Sequence, residues 1–281
     1  MERALGLGAL SADVTLIGAD DQIAGIPAAR KVGVGVWGGG KGEALAGQLA
    51  GRSVEEAVRL ALAGDVDAIV TGPVHKHALH LAGYRYPGLT EFLAHLTGTE
   101  VAMMLATGTL RVVLVTTHLP LRDVPREVTT ERTVRVGRIA EAGLRRWWGI
   151  ARPRLALCAL NPHAGESGLF GDEDDRVLRP AAEALGAAGP LPADTVFVRA
   201  LRGEFDAVLA PYHDVGMTAI KVAGFGKGVN VTLGLPFPRV APDHGTALDI
   251  AGTGVADAGS MRAALELAVR LGAQTHSRTD A

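Results

Sequence analysis

Three times in this sequence a short apolar run gives way, within a few residues, to a histidine. Arg111-Val-Val-Leu-Val-Thr-Thr leads into His118-Leu-Pro. Leu155-Ala-Leu-Cys-Ala-Leu leads into Asn161-Pro-His163, and Asp206-Ala-Val-Leu-Ala-Pro leads into Tyr212-His213-Asp214. Runs of this length, bounded by turn residues, suit strands buried on both faces of a parallel sheet. Polar groups gathered at the carboxyl ends of such strands are where α/β proteins bind ligands. Three imidazoles converging from three strand ends would make a divalent-metal site with open positions for substrate. Three unrelated loop histidines, each hydrogen bonded locally, are the competing reading, and the residues alone leave both open.

The rest of the chain continues the alternation. Short strands are expected at Asp13 to Gly18, Lys31 to Val36, Ala68 to Thr71, Val101 to Thr107, Ala207 to Ala210 and Val229 to Leu233. Ser53-Val-Glu-Glu56 reads as a capping box opening a helix that stops at Gly64. Helices are also expected at Thr90 to Leu96, Thr130 to Trp148, Asp172 to Leu185 and Gly216 to Val222, from Thr246, and from a Ser260 cap to Leu271. The paired Trp147 and Trp148 read as core or interface. His75 and Lys76 stand at a strand end, where an anion-binding role competes with a solvated helix start. Gly33 to Gly42 contains near-matches to G-x-G-x-x-G and to a phosphate-binding loop. The first lies inside a strand-like run, and the second has Gly42 where Ser or Thr is required, so both are set aside as a turn. Lys227 falls in a glycine-bracketed loop.

Composition narrows the class. The 281 residues, 48% hydrophobic, suffice for one or two domains. A formal net charge of −2 gives no reason to expect nucleic acid or an anionic membrane as partner. No apolar run approaches the roughly 20 residues a membrane span needs. The single cysteine, Cys158, excludes a disulfide within the chain and suits a cytoplasmic protein.

Six segments then occur in order: TGPVHK (71–76), TTHLPLRD (116–123), LNPHAGE (160–166), PADT (192–195), YHD (212–214) and NVTLGLPFPR…DHGTALDIAG (230–252). Together they resemble the 4-hydroxythreonine-4-phosphate dehydrogenase family of vitamin B6 biosynthesis, over nearly the whole chain. The resemblance implies two α/β/α domains around a cleft, like isocitrate and isopropylmalate dehydrogenases. The expected division is 1–83 with 245–281 as the cofactor-side domain and 84–244 as the domain with the metal ligands and dimer interface. A homodimer with a shared active site is implied, as are NAD or NADP and a divalent metal: zinc, cobalt, nickel or manganese. By motif, His118, His163 and His213 would be the metal ligands. Thr90, Lys221, Asn230 and Arg239 would bind a phosphorylated substrate. His244, Gly245 and Thr246 would contact the cofactor, and Asp214 and Lys221 are the catalytic candidates.

The implied reaction is oxidative decarboxylation of 4-phosphohydroxy-L-threonine, with the metal stabilising charge as hydride and carbon dioxide leave. The same chemistry on a phosphorylated sugar acid or an aromatic dihydrodiol carboxylate is the alternative, as is a metal-binding pseudoenzyme. Three departures bear on this. The family's Gly-His-Thr-Glu is here Gly88-Leu89-Thr90-Glu91, which loses a donor facing substrate. The family's Gln-Gly after His-Asp is here Val215-Gly216. The family's opening strand and Gly-[Asp/Glu]-Pro-Ala-Gly-Ile-Gly turn are not in this sequence, which predicts a shortened cofactor-side domain and weak cofactor binding.

Overall fold

The computed structural model describes residues 10–39, 42–224 and 228–276. Its strands are β1 (Thr15–Gly18), β2 (Arg30–Gly33), β3 (Ile69–Val70), β4 (Ala102–Thr107), β5 (Leu110–Leu114), β6 (Leu155–Cys158), β7 (Ala188–Leu191), β8 (Ala207–Ala210), β9 (Val229–Leu233) and β10 (Arg239–Pro242). The chain divides into two compact units: Met1–Thr99 with Leu235–Ala281, and Glu100–Gly234. The expected division at 83/84 and 244/245 differs in two places. The helix Leu89–Thr97 lies in the first unit, where Phe92 stacks on Tyr86 at 4.8 Å and meets Tyr84 at 5.1 Å. Residues 235–244, carrying β10, lie there too.

In the first unit β1 and β2 pair in parallel, as do β3 and β10, with Ile69 opposite Arg239. The helix Gly259–His276 packs on β3 and β10, and Ser260 Oγ, inside its first turn, accepts from the Asp243 N–H at 3.2 Å. The capping-box reading at Ser53 is corrected. The helix runs Glu43–Leu62, and Ser53 sits in its middle, its hydroxyl donating to the Leu49 carbonyl at 2.8 Å. Glu-Ala-Leu-Ala upstream are strong helix formers, and a mid-helix serine can satisfy itself on the preceding turn. The helix expected from Thr246 is reduced to a 3₁₀ turn at Leu248–Ile250, because Ala247 is left-handed (φ 45°). Gly40, Lys41 and Lys227 lie outside the described residues.

In the second unit six strands run in the order β9-β4-β5-β8-β6-β7. β4 is antiparallel to both neighbours; β5, β8, β6 and β7 are mutually parallel. Side chains alternate across the sheet. Val112, Leu114, Val208, Ala210 and Ala156 face helices Ala193–Leu201 and His213–Gly224, meeting Val196, Ala200 and Ile220. The opposite face carries Leu233 against helix Thr130–Trp148, so closely that a Cβ on Gly143 would lie 3.0 Å from it. Trp147 of that helix is core, 1% exposed. β7 and helix Ala193–Leu201 were not foreseen. Ala-Gly-Pro-Leu reads as a turn, and as the edge strand it tolerates the proline. Among the described residues no helix is long and apolar enough to cross a membrane.

Candidate active site

The site in the second unit arises from strand order. β5 and β8 are adjacent and parallel, with Leu114 opposite Ala210, so their carboxyl ends emerge side by side. Pairing runs past the strands: Val115 N donates to Ala210 O, and the Thr116 hydroxyl donates to Pro211 O at 2.7 Å. The two loops therefore leave the sheet tied to one another, and His118 and His213 meet with ring centroids 5.3 Å apart. His213 is the first residue of helix His213–Gly224. Its Nδ1 donates to Asp214 Oδ1 at 2.8 Å. A carboxylate only accepts, so Nδ1 carries a proton, which in the neutral ring leaves the Nε2 lone pair for a ligand. Thr117, His118, Leu119, Leu121, Val124, Tyr212, His213 and Asp214 line a pocket of about 120 Å³.

His163 comes after β6, the other parallel neighbour of β8. It stands at the same edge of the sheet but does not join the pair. It is exposed, 6.5 Å from the Phe170 ring, and begins a left-handed run from His163 to Ser167. Among the described residues no group of three His, Cys, Asp or Glu side chains is placed to hold a metal ion. One chain thus offers two imidazoles, one already oriented by a carboxylate. That donor chemistry fits two of three positions of an imidazole-rich metal site.

The other expected residues are distributed over both units. Lys221 is exposed on helix His213–Gly224. Asn230 is on β9, where its Oδ1 is enclosed with no hydrogen-bond partner among the described residues. In the first unit, Leu89 and Thr90 open their helix. Arg239 begins β10, 4% exposed, and donates from Nη2 to Thr71 Oγ1 at 2.6 Å. Burial brings its guanidinium down to about 10. The guanidinium is still charged at neutral pH, and a cation this deep needs an acceptor such as Thr71. His244 Nδ1 donates to Gly245 O at 2.9 Å in the loop that continues through Thr246. Thr71, which accepts from Arg239, was not among the expected residues; its signal was a polar residue ending a buried strand, the grammar that picked out the histidines. The bonds that Asp174 accepts from the backbone N–H groups of Leu160 and Asn161 were not foreseen either, because Asp-Glu-Asp-Asp reads as an ordinary acidic helix start.

A family model described as Pyridoxal phosphate biosynthetic protein PdxA matches residues 12–268. The chain is 50% identical over 238 residues to a 4-hydroxythreonine-4-phosphate dehydrogenase of Beijerinckia indica, covering 83% of this chain and 70% of that one. It is also 50% identical over 238 residues to a D-threonate 4-phosphate dehydrogenase of Salmonella typhimurium, covering 83% and 72%. Among solved structures, a 4-hydroxythreonine-4-phosphate dehydrogenase from Klebsiella pneumoniae superposes with a TM-score of 0.81 at 43% identity, covering 96% of this chain and 86% of that one.

Proposed function

The chain belongs to the PdxA family of pyridoxal phosphate biosynthetic proteins, and from that membership we propose that it performs the metal-dependent, NAD(P)-linked oxidative decarboxylation of 4-phosphohydroxy-L-threonine to 3-amino-2-oxopropyl phosphate, in the cytoplasm. The observation that carries this reading is the pair His118 and His213 at 5.3 Å, with Asp214 fixing the tautomer of His213. When bound, a divalent ion (zinc, cobalt, nickel or manganese) supplies positive charge beside the substrate oxygen, and the nicotinamide accepts the hydride. His118, His213 and His163 are assigned to the metal. Asp214 positions His213 through Oδ1, and Asp214 and Lys221 are both candidates to accept the hydroxyl proton. Arg239 and Thr90, with Lys221 and Asn230, are assigned to substrate phosphate and carboxylate. His244, Gly245 and Thr246 are assigned to the cofactor. Stopped reactions with 4-phosphohydroxy-L-threonine, NAD or NADP and each metal should release carbon dioxide and reduced nicotinamide one to one. An active His213→Ala variant would remove the metal assignment.

A second substrate is favoured by one residue. Leu89 stands where the family resemblance leads one to expect a histidine, and the chain is as similar to the D-threonate 4-phosphate enzyme as to the 4-hydroxythreonine 4-phosphate enzyme. The two substrates share the phosphate and the hydroxy acid and differ at the amine. Competition between them in one assay gives the ratio of kcat/KM, and Leu89→His should move that ratio toward the amine. An unchanged ratio would place the discrimination elsewhere.

The enzyme is proposed to act as a homodimer. One chain brings two imidazoles together, and the loops around His118 and His163 carry exposed apolar side chains. These are Leu119 and Leu121 beside His118, and Leu169 and Phe170 (73% and 47% exposed) beyond His163. Covering those side chains with a second copy would remove apolar surface from water and bring in the third imidazole. Light scattering at micromolar concentration should give twice the chain mass.

A further inference from the structure

The loop that carries His163 has a backbone its sequence does not favour. His163, Ala164, Glu166 and Ser167 all have positive φ (52°, 56°, 43° and 58°), with Gly165 at 83° between them. Left-handed backbone costs an L residue roughly 1–2 kcal/mol, so such a run persists only where its surroundings over-determine it.

What holds it lies at one end. Asp174, 0% exposed, accepts from the backbone N–H groups of Leu160 at 2.8 Å and Asn161 at 2.9 Å. Its neighbour Glu173 accepts from Asn161 Nδ2 at 2.8 Å. Both acids belong to the start of a helix whose first turn, Asp174–Leu178, is π, closed by the Arg179 N–H on the Asp174 carbonyl. π turns are rare and recur at functional sites. Further along, Phe170 N donates to Gly165 O, and a Cβ on Gly165 would lie 2.9 Å from Gly171 O, so the run is closed over itself.

We propose that Asp174, assisted by Glu173, is the positioning residue for His163: two adjacent acids clamp Leu160 and Asn161, force the left-handed run, and so aim an imidazole that would otherwise swing away. This rests on reading His163 as a metal ligand. Asp174 touches no metal and acts only through the backbone. Asp174→Asn keeps the size but turns one acceptor into a donor facing a backbone N–H. The run then relaxes, and the His163 imidazole that the proposed dimer would bring to the metal no longer reaches it, while His118 and His213 stay paired.

The test is a cobalt(II) titration of the full chain, read by affinity and by the visible spectrum of the bound ion. Asp174→Asn should bind cobalt about tenfold to a hundredfold more weakly, the range for disturbed supporting contacts, with a changed spectrum and an unchanged far-ultraviolet dichroism. Glu173→Ala, on a partly exposed side chain, should weaken binding less but in the same direction. It decides the matter should Asp174→Asn not fold. His163→Ala is the reference. If it keeps wild-type affinity, His163 is not a ligand, and the inference falls with that reading. If His163→Ala loses affinity while both acid variants keep wild-type affinity and spectrum, the reading stands and the clamp is overturned.

Discussion

A thiol sealed in a strand behaves differently from one at a surface, and Cys158 is the case here. Burial, and secondarily the negative charge of Asp174, push its thiol up to about 12. At pH 8 it stays protonated, so the folded protein should not react with a thiol reagent, whereas the denatured chain should react once per chain. Rapid labelling of the native protein would mean that β6 opens. Ala164 offers the converse test. At φ 56° it sits in backbone that glycine adopts without penalty. Ala164→Gly should leave the melting temperature unchanged or raise it, where glycine replacing alanine normally lowers it; a clear drop would show that the methyl group packs usefully. At this scale the sequence was informative about residue type and silent about rotation. The three histidines could be picked out from Leu114, Cys158 and Ala210 lying just before them. That His118 meets His213 and not His163 depends on strand neighbours and on a left-handed turn, neither of which is written in local pattern.

Elements were legible where one period dominated. Thr130–Trp148, Ala207–Ala210 and Val229–Leu233 have the expected bounds because their apolar spacing is unbroken. β7 and β10 were missed because proline and glycine in Ala-Gly-Pro-Leu and Arg-Val-Ala-Pro speak for turns, and only the sheet neighbour overrules them. Ser53 misled because a capping pattern and a mid-helix serine look alike in sequence. The helix Glu43–Leu62 also carries a constraint no periodicity would suggest. Gly47 lies against the backbone of the helix Lys76–Leu81, and a Cβ there would fall 1.8 Å from Ala78 O. Gly47→Ala should cost about 1–3 kcal/mol, the range for overpacking, measured by urea unfolding, despite alanine's better helix propensity. A stabilised variant would mean that the two helices separate easily.

For the molecule as a whole, acid stability should be governed by carboxylates held in their charged form. Asp206, its side chain 16% exposed, is one of them. Burial alone would raise its carboxyl, but the side-chain and backbone hydrogen bonds from Arg154 outweigh that and hold it below the usual value. A lowered carboxyl stabilises the fold fully above its ordinary pKa of about 4 and stops doing so as pH falls through the lower folded value. Asp206→Asn should therefore cost about 1 kcal/mol at pH 7, and its difference from wild type should shrink below pH 4; a constant difference down to pH 2 would refute the ionic origin. The order of strands has one more consequence, for the time course of synthesis. β9 pairs with β4, the first strand of its unit, and β10 pairs with β3 in the other. The stretch from Val229 to Pro242 thus supplies a late strand to each unit. Until it leaves the ribosome, β4 has an unpaired edge and neither unit can complete its hydrogen bonding, so a nascent chain stalled before residue 229 carries the histidines but is exposed to edge-to-edge aggregation.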